Sequence, residues 1–117
     1  MEEIQRDTYK DGALQGEGPV VDGVKHGAWK NWYRNGQLKA EGDFVAGEFE
    51  GLWTWWRENG VLLQQGGFHH GAQHGCWRRW HDNGSLMDEG EWKNGKRHGD
   101  WVFYAPDGTV RKRQTFR

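Results

Sequence analysis

Six histidines, one cysteine and a recurring glutamate are the residues of this chain whose types suggest chemistry. His26, His74 and His98 fall at multiples of 24, with Glu50 in the remaining slot, and His69, His70 and His74 crowd one short stretch. A protein zinc site needs about four such groups at ~2 Å from one ion. If residues 24 apart lie two strands apart in a sheet, they are separated by roughly 9–10 Å, which is too far for direct ligation. Cys76 has no recurrent histidine or carboxylate companion that would make a nucleophilic triad. Glu17, Glu41 and Glu89 form a column, but they repeat as structural positions do. The glycines open no helix and form no phosphate loop. The expectation is a chain with no catalytic residues, no metal site and no cofactor, and hence not an enzyme.

The elements that carry these residues are read from the aromatic and glycine columns. Trp accounts for 9 and Gly for 19 of 117 residues, while hydrophobic residues are only 34%. Disordered chains lack such aromatics, and a thick two-layer core needs more apolar residues. A thin structure whose flat side chains cover backbone fits both facts. A net charge of −1 leaves no electrostatic footprint for nucleic acid, and the basic stretch Arg111-Lys112-Arg113 reads as a solvated end. A single cysteine excludes an internal disulfide framework and suits a reducing compartment. The opening MEEIQRDTYK has no apolar signal region, and no stretch is long enough to span a membrane as a helix. The expected location is cytoplasmic.

The chain repeats itself with a period of 24. Trp29, Trp53, Trp77 and Trp101 form one column, and Trp32, Trp56, Trp80 and Tyr104 another. All glycines but Gly16 and Gly67 fall into five columns with that spacing. Asp11-Gly12, Asn35-Gly36, Asn59-Gly60, Asn83-Gly84 and Asp107-Gly108 are strong two-residue hairpin signals, because a type I′ turn needs positive φ at both central positions. Asp22-Gly23, Ala46-Gly47, His70-Gly71 and Asn94-Gly95 are weaker signals that fall midway. The segments between turns have strand length, with room for a bulge in the longer ones. The fold class is therefore all-β: a single-layer, elongated antiparallel meander of consecutive β-hairpins, about ten strands in all. It is one domain over residues 1–117, with a partial repeat at 9–26, full repeats at 27–50, 51–74 and 75–98, and a C-terminal partial repeat at 99–117.

Ideal two-residue turns place Trp53 across from Gly66 and Arg57 across from Leu62. Strand alternation then puts Trp53, Leu62, Gly66 and Phe68 on one side of the sheet, the first face. A glycine opposite a tryptophan lets the indole lie flat on bare backbone, so Trp29, Trp53 and Trp77 read as structural, seated on Gly42, Gly66 and Gly90. Trp101 faces Gln114 in this register. The second column has opposite parity. Trp32, Trp56 and Trp80, with Lys39, Leu63 and Met87 across from them, project from the second face without a glycine seat. A bulge between Trp53 and Trp56 would instead place both rows on one face. The candidate partner-binding residues are Trp32, Trp56, Trp80 and Tyr104, together with Trp55, Arg57, Arg79 and His81 at first-face positions that vary between repeats. Open sheet edges at the two ends offer a route to a homodimer.

The pattern G-x-W-x-x-W-Y-x-N-G-x-L-x-x-x-G-x-F-x-x-G, carried by Gly27, Trp29, Trp32, Tyr33, Asn35, Gly36, Leu38, Gly42, Phe44 and Gly47 and their equivalents, resembles the MORN repeat family in its bacterial variant form. The resemblance covers about residues 9–116. It implies an elongated sheet of hairpins and a role in protein contacts, most pointedly as an immunity or antitoxin protein that binds and neutralises a bacterial toxin. A lipid-associated scaffold is the alternative from the same family. Choline-binding repeats are also similar in their W-Y, N-G and G-W elements, and imply an aromatic-row binder of glycan or choline-like ligands. Their repeat is shorter than 24.

Overall fold

The computed structural model describes residues 2–117. Eleven strands are present among them: β1 (Glu2–Thr8), β2 (Leu14–Val21), β3 (Val24–Lys25), β4 (Gly27–Trp32), β5 (Leu38–Val45), β6 (Glu48–Trp56), β7 (Leu62–His69), β8 (Ala72–Trp80), β9 (Leu86–Lys93), β10 (Lys96–Tyr104) and β11 (Val110–Phe116). They form one open antiparallel sheet in chain order, 47 × 31 × 16 Å overall. The short β3 and the following β4 correspond to one uninterrupted strand in later repeats. Pro19 explains the break: its carbonyl accepts from His26 N–H at 3.1 Å, but proline has no N–H to return. Strand β1, upstream of the recognisable repeat, pairs with β2 from Glu2↔Val21 to Thr8↔Leu14.

The two turn classes exchange the roles expected of them. At the Asn-Gly sites the loop has three residues. Gly36 N–H donates to Tyr33 O at 3.0 Å, Tyr33 N–H donates to Gln37 O at 2.9 Å, and Gly36 has φ 90° while Asn35 is not in the left-handed region. This is a type I turn closed by a glycine bulge. The asparagine serves as an acceptor instead: its Oδ1 takes the Gln37 N–H at 2.9 Å, and Asp11, Asn59, Asn83 and Asp107 act likewise. The type I′ turns lie at the weaker signals, where Asp22, Ala46, His70 and Asn94 all have φ near 50° and each is followed by a positive-φ glycine. Their tight geometry is imposed by the flanking strand pairs, such as Val45↔Glu48 and His69↔Ala72.

The three-residue loop shifts the register beyond it. Trp56 pairs with Leu62, not with Leu63, and Arg57 lies outside the ladder; Trp32↔Leu38 and Trp80↔Leu86 repeat the arrangement. Lys39, Leu63 and Met87 are the bulged residues. Leu62 therefore joins Trp56 on the second face, a correction to the expectation that it shares a face with Trp53. The two tryptophan rows nonetheless stay on opposite faces, because Trp53 and Trp55 are first-face neighbours with ring centroids 5.8 Å apart and Trp56 alternates away from them.

Trp53 does pair with Gly66 across the hairpin, but its indole does not rest there. It lies over Gly42 in the preceding repeat; Trp29 covers Gly18, Trp77 covers Gly66 and Trp101 covers Gly90. Between Glu41 and Asp43 the ladder opens, three residues of β6 standing against one of β5, with Gly51 at φ 71° taking up the slack. The carbonyl exposed by that opening is taken by the indole: Trp53 Nε1 donates to Asp43 O at 2.8 Å, and Trp29, Trp77 and Trp101 donate to Pro19, Gly67 and Glu91 at 2.8, 2.9 and 3.1 Å. The four indoles are 1–3% exposed. Phe44, Phe49 and Phe68 stack along their edges. Each ring buries at most ~150–250 Å², a few kcal/mol at about 25 cal/mol per Å².

A Cβ on Gly66 would fall inside the ring of Trp77, whereas one on Gly51 would meet open space. Gly66→Ala is expected to cost at least about 2–3 kcal/mol through displacement of the indole, and Gly51→Ala about 1 kcal/mol through its positive φ alone. Denaturant melts measure both; equal losses would contradict the seating.

Candidate functional site

The sheet is laced together along both margins, and the lacing decides which side chains are free. On the margin of the type I′ turns, Gly47, Gly71 and Gly95 N–H groups donate to the carbonyls of Lys25, Phe49 and Gln73 in the preceding repeat. The histidine column serves the same margin. His26 Nδ1 accepts from Ala46 N–H and Glu50 accepts from His70 N–H, each at 3.3 Å. The His70 N–H, together with His69 nearby, lowers the Glu50 carboxyl below its ordinary range. That contact favours the folded chain above the ordinary carboxylate pKa and is lost as pH falls through the lowered value. His69 lies 3.5 Å from Glu50, and no group of three His, Cys, Asp or Glu among the described residues is arranged to hold an ion.

On the other margin a variable column reaches into the following repeat. Tyr9 and Tyr33 hydroxyls donate to the Trp32 and Trp56 carbonyls at 2.8 and 2.7 Å; Arg57 Nη2 donates to the Trp80 carbonyl at 2.9 Å; the His81 ring nitrogen is 2.9 Å from the Tyr104 carbonyl. Two of the sequence-derived partner contacts, Arg57 and His81, are thus tethers between repeats. The chemistry varies while the bond is kept, which single-sequence variation cannot distinguish from a recognition code.

Trp55 and Arg79 share the next first-face column and are also engaged internally. Trp55 lies between Trp53 and Trp77, 5.8 Å from each and near-parallel to both. Arg79 makes a forked contact with Asp88, its Nε 3.0 Å from Oδ2 and its Nη2 also bonded. Asp88 is 1% exposed, and its carboxylate raises the guanidinium pKa further. The pair occupies the places held by Trp55 and Gln64 one repeat earlier.

Trp32, Trp56, Trp80 and Tyr104 are brought together as the register predicts, but on the second face with Leu38, Leu62, Leu86 and Val110 as their cross-strand partners. The four are half-buried, and none makes a ring contact with another aromatic among the described residues. They form a stripe along the margin of the three-residue loops. Beside it runs a polar ladder: Arg78–Glu89 at 3.0 Å, Gln65–Thr54 at 2.9 Å, and Arg6–Glu17. Farther across the same face, Ile4 and Leu52, 54% and 63% exposed, border a shallow cleft of about 450 Å³ with Lys30, Glu41 and Thr54. No column of the repeat marks Leu52, whose position holds Ala28, Cys76 and Asp100 in the other repeats.

The sequence that folds in this way is matched by a family model described as MORN repeat variant at residues 25–46, 49–70, 73–94 and 97–117. The chain belongs to the MORN repeat variant family. Repeats of this kind commonly mediate protein or membrane-lipid interactions, and this MORN chain is accordingly a repeat module for interaction. No curated protein matches it. Among the described residues no helix is long and apolar enough to cross a membrane.

Replacing Arg79 by Trp alone leaves a buried carboxylate unpaired, at an expected cost of at least about 2 kcal/mol, below the usual range for a broken buried pair because Arg79 is part-exposed. Adding Asp88→Gln recreates the arrangement of the preceding repeat and should recover most of that loss. A double-mutant cycle from thermal or denaturant melts tests it; additive losses would show that the two positions are not coupled.

Proposed function

We propose that this protein binds another protein through its second face, with Trp32, Trp56, Trp80 and Tyr104 as anchors, and that the partner is a bacterial toxin neutralised by having its working surface covered. On this reading it acts in the cytoplasm and without catalysis of its own. The observation that carries the proposal is the stripe itself. Four large aromatic side chains, spaced two strands or roughly 9–10 Å apart, are withheld from the core although the first-face row shows how completely this fold can bury an indole. Tryptophan and tyrosine are among the residues in which interface hot spots are enriched, and here a polar ladder flanks them. The edge-to-edge homodimer has less behind it. Gln5 stands in the tryptophan column and Gln114 in the glycine column, so two ends brought together would lack the indole seat that joins successive repeats.

Trp56→Ala is expected to leave the fold largely intact and to weaken partner binding by about 2 kcal/mol or more. Trp53→Ala should cost ~3–5 kcal/mol of stability. Co-expression with candidate toxins drawn from the neighbouring genes, followed by titration of any pair that co-purifies, is the decisive measurement. Neutralisation that survives Trp56→Ala combined with Trp80→Ala would remove the second face from consideration, and binding to choline, glycan or vesicles in place of protein would favour a ligand- or lipid-binding role.

A further inference from the structure

The net charge of −1 conceals an asymmetry between the faces. On the second face the carboxylates of Glu17 and Glu89 are matched by Arg6 and Arg78. On the first face Lys25, Lys39, Arg97 and Lys112 each stand over an aromatic ring, and among the described residues none of them meets a carboxylate. Of the acids on that face, buried Asp88 is already taken by Arg79, and Asp7, which lies near Asn31 over Gly16, accepts from Gln5 at 3.2 Å.

Two of these cations border a single cleft of about 310 Å³, whose walls include Lys25, Lys39, Asn31, Phe49 and Trp55, and which Trp32 of the second-face row borders at the sheet margin. It exists because Asn31 and Ala40 are small. One repeat later Trp55 and Gln64 occupy the same places, and two repeats later Arg79 and Asp88 do. In the next repeat the two lysine positions hold Phe49 and Leu63. The stretch from Lys25 to Phe49 therefore combines a vacancy, two ammonium groups that meet no carboxylate among the described residues, and an apolar wall.

We propose that this cleft binds an acidic polypeptide segment, with its carboxylates against Lys25 and Lys39 and an intervening apolar side chain against Phe49 and Trp55. Its size suits side chains. Its polarity asks for anionic groups flanking an apolar body. A nucleic acid would need open stacking platforms along the strand, but the indoles of Trp29, Trp53, Trp77 and Trp101 lie on backbone and are buried. A lipid surface would engage a flat array of cations, whereas these two line a recess.

The probe is the capped hexapeptide Glu-Glu-Leu-Phe-Glu-Glu, titrated by calorimetry and tryptophan fluorescence against the whole chain, with Lys-Lys-Leu-Phe-Lys-Lys, phosphatidylglycerol vesicles and oligouridylate in parallel. The acidic peptide should bind alone among the four, and more weakly at high salt. Lys25→Met with Lys39→Met, which keeps the apolar stems, should weaken it about tenfold or more. Asn31→Trp, which fills the cleft as Trp55 does one repeat later, should abolish binding with the melting temperature maintained. Trp56→Ala should leave it within about twofold, so that failure here and failure of the second-face reading are separable. No binding of the acidic peptide at millimolar concentration, unchanged affinity in the Met or Trp variants, or tighter binding of any other probe would overturn the proposal.

Discussion

The structure depends on one contact made four times: an indole laid flat over a glycine of the preceding repeat, its N–H on the carbonyl nearby. The contact does two things for a single-layer sheet. It removes a large apolar surface from water without a second layer, because the glycine lets the ring reach the backbone itself. It also adds an indole donor to the carbonyl beside the interruption of the ladder, so that Pro19 O, for one, accepts from both His26 N–H and Trp29 Nε1. The interruption and the ring are therefore one device. Without the extra residues at Gly51 and Leu52 the ladder would close, and without Trp53 the opened carbonyl would have no indole donor.

Because each indole leans on the preceding repeat, stability is passed along the ribbon in one direction, as in other quasi-one-dimensional repeat proteins. Trp29 needs Gly18, so β2 and its partner β1 serve as the base on which the first full repeat rests. The margins add a second layer of coupling through turn glycines on one side and Tyr33, Arg57 and His81 on the other. Those three side chains differ in charge and shape yet reach the same carbonyl position, so the constraint at this column is the bond and not the residue type.

With the first tryptophan row committed to the fold, what remains for recognition is what the fold does not consume. On the second face that is the aromatic–leucine stripe and the exposed Leu52; on the first it is the recess left by Asn31 and Ala40. The two surfaces differ in chemistry, one apolar with a paired polar ladder and the other aromatic with unpaired cations. A thin ribbon can present both at once, since nothing packs behind either.

The sequence by itself determined the strand content, the 24-residue period, and the alternation that separates Trp53 from Trp56, because period and parity survive small errors in the turns. Gly36, Gly60 and Gly84 were legible as positive-φ positions for the same reason. Of the candidate site, the row Trp32, Trp56, Trp80 and Tyr104 was legible from parity, whereas the internal engagement of Trp55, Arg57, Arg79 and His81 was not. What only the tertiary structure decided is the partner of each group across strands that are not in one hairpin. An Asn-Gly pair fits a two- or a three-residue loop, and the choice moves Leu62 to the other face. A tryptophan opposite Gly66 has a ring long enough to reach past it, and only the opening between β5 and β6 sends it to Gly42. Charge summed over a chain has no side, so the cationic first face emerged only when the pleat distributed Lys25, Lys39, Arg97 and Lys112 onto one surface.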